Sequence, residues 1–172
     1  MRALWAWTVG LGLVIAAGSA GAAEAKREQA GGAQATVDRA TDATKHFAVA
    51  NAGLESAEAN AEMLSAITRK QELYDRAHGE LFVKNIRDAI TYANGHIQHI
   101  KPLVQTDAER KNLQQLEERV ARVESMLPRL DSNLDDVQAL NREANSIDQA
   151  IDGAQEPLEN LAEAMNVEVD VG

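Results

Sequence analysis

The chain has 172 residues, of which 45% are hydrophobic and only 3% aromatic; it has no cysteine and a formal net charge of −10. The missing cysteine excludes a disulfide framework, a lipoprotein anchor, covalent c-type haem and a thiol nucleophile. The acidic balance argues against nucleic acid, whose binding depends on basic phosphate contacts, and against a basic membrane-surface helix.

The N-terminus reads as an export signal. Arg2 precedes an apolar run, and small residues follow it to Ala23. Ala20-Gly21-Ala22 and Gly21-Ala22-Ala23 both suit cleavage, so a signal peptide is expected over 1–23. The apolar core from Leu4 to Ala17 is short for a span of about 20 residues. No transmembrane segment is therefore expected after cleavage. The expected location is a Gram-negative periplasm, with simple secretion as the runner-up.

Residues 24–35, EAKREQAGGAQA, have no apolar period and contain Gly31-Gly32. They read as a flexible linker. A helical bundle domain is expected over 36–166, followed by a frayed tail over 167–172. Scarce aromatics and abundant alanine favour close-packed helices, and alternating β-branched runs are almost absent.

The first helix starts near Thr36, with an alanine-heavy stripe through Val37, Ala40, Thr44, Phe47, Ala50 and Leu54. Asn51-Ala52-Gly53 can end it, with Ser56 capping a second helix. Alternatively one helix runs through Gly53, because Ala57, Ala61, Leu64, Ile67 or Thr68, Gln71 and Tyr74 keep nearly the same phase. His78-Gly79 is the next candidate break.

The clearest stripe follows: Phe82, Ile86, Ile90, Ala93, Ile97, Ile100 and Val104 recur at spacings of three and four, which puts them on one helix face. Pro102 limits this helix. Thr106 and Glu109 then form a capping box that marks a turn and a new helix.

From Leu113 the apolar spacing resembles the heptads of a coiled coil: Leu116, Val120, Val123, Leu127, Leu130, Leu134, Val137. Pro128 interrupts it without shifting its phase. The helix either kinks there or restarts at Asp131 or Ser132. Beyond Val137 the stripe drifts to Leu140, Ala144, Ile147 and Ile151, which suits a globular bundle. Asp152-Gly153 ends the segment, and Pro157 begins a short last helix. The fold class is therefore all-α, an up-and-down bundle of about four principal helices.

Charge is uneven along the chain. Residues 24–105 carry 10 basic and 11 acidic side chains, whereas 106–172 carry 6 and 16. A basic partner or a cation would use such a surface, and so would simple solubility.

Histidines are the residues best suited to a site. His96 and His99 lie three apart on one helix, and imidazole suits zinc, copper, nickel and iron. His46, His78, and Met63 or Met126 could complete a transition-metal site across the bundle. The plainer reading makes His96 a boundary residue and His99 part of a polar flank. Non-covalent haem needs only an axial His or Met, as in the periplasmic haem-binding four-helix bundles that this chain is similar to in size and class.

A di-iron carboxylate site needs two Glu-x-x-His motifs. Only one acid-x-x-His occurs, Asp75 to His78. No serine elbow, His-Glu-x-x-His or phosphate loop is present, so no enzyme activity is expected. Amphipathic helices with polar residues on apolar phases (Thr68, Gln71, Asn141 and Asp148) can present a groove to another helix. The expected function is an exported, non-enzymatic bundle that works through protein contacts, as an adaptor or stress chaperone. The alternative is a metal- or haem-binding bundle using His96 and His99. A protein partner is expected, and self-association is open.

Overall fold

In the computed structural model the described residues are 21–167, with side chains described from Asp38 onward. The signal peptide expected over 1–23 lies outside them save for its last three residues, and so does the tail beyond Val167. The described residues form four α-helices and no strand: α1 (Gly21–Arg69), α2 (Arg76–Ile100), α3 (Asp107–Ser132) and α4 (Val137–Ala164). None of these helices is long and apolar enough to cross a membrane. The chain divides into two compact units after Thr36, and the second, beginning at Val37, holds the helical bundle.

Helix α1 differs from its sequence reading at both ends. Its backbone is helical through 24–35, where a linker is expected. Glutamate, alanine, lysine, arginine and glutamine dominate that stretch, and all are strong helix formers; only the two glycines oppose them. The helix runs unbroken through Gly53, as the second of the two sequence readings has it, and Ser56 caps nothing. Gly53 serves close packing instead. A Cβ there would lie 2.9 Å from the Ala93 Cβ and 3.2 Å from the Ala89 carbonyl oxygen. α1 and α2 touch through their backbones at this level.

The break after α1 falls at Lys70–Asp75 rather than at His78-Gly79. Asp75 caps α2, its side chain accepting from the Ala77 amide. Gly79 sits inside the first turns of α2, where a Cβ would meet the Tyr74 ring. That ring reaches across the bundle, and its hydroxyl donates to the Leu134 carbonyl at 2.7 Å.

The predicted stripe of α2 is buried at Ile86, Ile90, Ala93, Ile97 and Ile100; Phe82 and Val104 are only partly covered, and Val83 is buried. The capping box of α3 forms with both reciprocal bonds: Glu109 amide to Thr106 Oγ1 at 3.2 Å, and Thr106 amide to the Glu109 carboxylate at 3.1 Å.

The heptad-like stripe from Leu113 to Val137 comes from two helices, not one. α3 continues through Pro128 to Ser132, and the chain then reverses over 133–136. Asp136 caps α4 by accepting from the Ala139 amide. Both arms of the hairpin face the same core, so Leu130, Leu134 and Leu140 all stay buried. Likewise α4 does not stop at Asp152-Gly153. It passes through Pro157, which removes one backbone hydrogen bond and is buried, as Leu158 and Leu161 are. The helix ends with Asn166 in the left-handed region, φ 56°. The Val167 amide reaches back to the Ala162 carbonyl at 2.9 Å and the Asn166 amide to Glu163 at 3.0 Å. That is a Schellman cap, and it buries Val167 at the start of the expected tail.

Cross-helix pairs run in opposite order along each neighbouring pair of helices. Asn60 meets Asn85 while His46 meets His96, so α1 and α2 are antiparallel. Asn94–Glu124 and Lys101–Glu117 set α2 against α3 in the same way. Asn112–Asn160 and Arg129–Glu143 do so for α3 and α4, and Ser65–Asn145 with Glu58–Gln155 returns α4 to α1. The core within this ring is aliphatic, with Phe47 the one aromatic among its largest fully buried side chains and eight alanines beside it.

Candidate functional site

Three of the four histidines meet on the α1–α2 seam. His46 points from α1 toward His96, one turn beyond Ala93 on α2. The seam is narrow because Gly53 and Ala93 let the backbones approach. The Nδ1 atoms of His46 and His96 lie 3.0 Å apart, so one ring donates its hydrogen to the other. Their ring centroids are 5.3 Å apart. His99 lies over His46 with centroids 4.9 Å apart and planes 22° from parallel. His96 and His99 centroids are 6.1 Å apart. The Tyr92 ring meets His96 edge-on at 4.9 Å.

His46 and His96 are half-buried and His99 is exposed. Burial, then the neighbouring charges of His46 and His99, push the His96 imidazole below its ordinary 6.5. The neutral form is therefore favoured at neutral pH, with a hydrogen on one ring nitrogen and a lone pair on the other.

His78 is not part of this cluster. It sits in the first turn of α2 beside its capping Asp75, with Nδ1 3.5 Å from the carboxylate. Eighteen residues separate it from His96, about 27 Å of helix. Met63 is exposed on α1, seventeen residues from His46 and about 26 Å away by the same measure. Met126 is partly buried on α3 and packs against the aliphatic core. Among the described residues, no three His, Asp or Glu side chains stand ready-made to hold a metal ion. In the His trio, the His46 and His96 nitrogens face each other and His99 offers a ring face.

Outward from this cluster, α2 presents a strip at helical spacing: Asp88, Thr91, Tyr92, Gly95, His96 and His99, around a surface hollow of about 350 Å³. Tyr92 is 57% exposed. A Cβ at Gly95 would meet nothing within 4 Å, so this glycine is a notch in the surface rather than a packing contact.

The polar residues on apolar phases have a different use. Asn141 Nδ2 donates to Thr68 Oγ1 and to the Ser65 carbonyl, each at 2.8 Å. Ser65 Oγ donates to Asn145 Oδ1 at 2.9 Å. Thr68 and Asn141 thus bond each other across α1 and α4 and fix the register of that pair, and Gln71 is exposed in the turn after α1. Asp148 is the exception: its Oδ1 is buried without a hydrogen-bond partner. Burial, then Glu62 and Asp152, raise its pKa above 3.8. Burial chiefly raises that of Glu58 above 4.5 as well.

These two carboxyls hold protons more tightly folded than unfolded. Their ionisation opposes folding above the raised pKa values, and that penalty is gone below the unfolded ones. Asp148→Asn should therefore stabilise the protein at pH 7 by on the order of 1 kcal/mol. The gain should shrink as pH falls through the raised pKa of Asp148. Thermal melts at pH 7 and pH 4 check this, and a lower midpoint for the variant at pH 7 would refute it.

Comparison with known families, with curated proteins and with solved structures gives no match. The residues themselves must carry the functional reading.

Proposed function

We propose that this is an exported, non-catalytic helical bundle that works by contact, as an adaptor or stress chaperone, and that the α2 strip from Asp88 to His99 receives a helix of its partner protein. One observation carries the reading: an exposed tyrosine, two histidines and an open glycine notch share one face of α2. Recognition of a helix uses anchors at such spacing. Tyrosine supplies contact area with little conformational freedom to lose. Export is supported by the N-terminal charge, apolar run and small-residue pattern.

The test places a photo-crosslinking amino acid at Thr91, which is exposed, in the chain expressed with its own leader. A discrete heavier adduct is expected on illumination. Gly95→Arg should abolish it, because the arginine fills the notch; the open space there and the better helix propensity keep the fold intact. The reading fails if no adduct forms, if Gly95→Arg leaves it unchanged, or if the crosslinker at exposed Gln114 on α3 captures the same species.

A further inference from the structure

We infer that His46, His96 and His99 form an inducible binding site for a divalent late transition metal, zinc or copper, on the α1–α2 seam. The inference does not rest on the contact reading. It rests on where the rings stand.

Two imidazoles holding a tetrahedral ion at about 2.0–2.1 Å place their nitrogens about 3.3 Å apart and their centroids about 5.2 Å apart. The Nδ1 atoms of His46 and His96 are 3.0 Å apart and their centroids 5.3 Å. A near-linear hydrogen bond and a two-nitrogen chelate thus need the same ring positions. They differ only in tilt. Small changes in the side-chain torsions of the two histidines would turn the lone pairs from facing each other to facing one ion.

His99 supplies the third ligand. Its centroid lies 4.9 Å from His46 and 6.1 Å from His96, on either side of the separation a shared ion requires. It is exposed, so its side chain can turn from its stack on His46 and aim a nitrogen inward. The fourth position faces the surface hollow beside Gly95 and takes water.

The proton balance is simple. In the empty site one Nδ1 carries a hydrogen and the other accepts it. Chelation uses both Nδ1 lone pairs, so that hydrogen moves through solvent to Nε2 of its own ring. Two nitrogen–metal bonds replace one hydrogen bond, and no net proton leaves while the rings are neutral. An all-imidazole set without thiolate favours zinc, copper(II) and nickel(II) over calcium or magnesium.

The test is a zinc titration followed by calorimetry, on the chain purified without a histidine tag. One ion per chain is expected, with a dissociation constant in the micromolar range or tighter. His46→Ala and His96→Ala should each weaken it at least tenfold, and His99→Gln by a smaller factor. His78→Ala should leave it unchanged, because that ring is far along α2. Circular dichroism identifies any variant that fails to fold, and His99→Gln, at an exposed position, then carries the test. Copper(II) added at substoichiometric amounts should broaden the ring signals of His46, His96 and His99 before that of His78. The inference is overturned if zinc does not bind below 100 μM, if His78→Ala weakens binding as much as His96→Ala, or if magnesium in excess displaces the zinc from acidic surface groups.

Discussion

Glu109→Ala is expected to lower stability by about 3 kcal/mol, the scale of breaking a buried ion pair. This carboxylate is only 2% exposed. It accepts from the Gln105 amide at 2.6 Å, from the Thr106 amide at 3.1 Å, and from Arg39 Nη2 at 2.6 Å. One side chain thus closes the start of α3 and ties it to α1. Alanine would leave two amides without their acceptor and the largely covered Arg39 without its carboxylate partner. Urea denaturation followed by circular dichroism measures the loss; a value below 1 kcal/mol would mean that water replaces the carboxylate.

Acid gives a second reading of the same group. Burial acts to raise its pKa, but the two amides and Arg39 outweigh burial and hold it below 4.5. Its contribution is therefore complete above the unfolded value and is lost as pH falls through the depressed one. The gap between wild type and Glu109→Gln should narrow between pH 7 and pH 3.

The two ends of α3 show what a sequence can and cannot disclose. Its start is legible because the cap is local: Thr106 and Glu109 are three residues apart, and their chemistry needs nothing else. The partner of Glu109 is not, since Arg39 is 70 residues away and only the packing of α1 on α3 joins them. The end of α3 misleads for a related reason. Apolar phase records which side chains face the core, and a helical hairpin preserves it across a reversal. Leu134 is buried within the turn itself, so its hydrophobicity looks like one more heptad position.

The site divides the same way. His96 and His99 are visible as a pair on one helix. His46 is one candidate among several, because its register against α2 depends on Gly53. A glycine inside an alanine-rich helix looks like a cap or a flaw. Its use emerges only when the Ala93 backbone lies against it. Polar residues on the α1 and α4 stripes pose the same difficulty: Thr68 and Asn141 look like faults in two apolar faces until the faces meet and the residues bond each other.

Gly53→Val should destabilise the bundle by about 2–3 kcal/mol, although valine is the better helix former. The new Cβ would stand 2.9 Å from the Ala93 Cβ and 3.2 Å from the Ala89 carbonyl oxygen. Backbone atoms cannot rotate away, so α1 and α2 must separate. Gly95→Ala on the same pair of helices is the control, because its Cβ meets nothing; it should gain up to about 1 kcal/mol. Thermal melts of both variants, and of Gly53→Ala with Ala93→Gly, decide the matter. The double variant should recover part of what Gly53→Ala loses, since the shorter of these two contacts is removed. A Gly53→Val protein as stable as wild type would mean that α1 does not lie against α2 at this level. His46 is seven residues away on the same seam, about two turns. Its approach to His96 would then lose its structural basis, and zinc affinity should be unaffected by His46→Ala. If valine does part the helices, the zinc site should weaken with it, because the two rings meet only while the backbones are close.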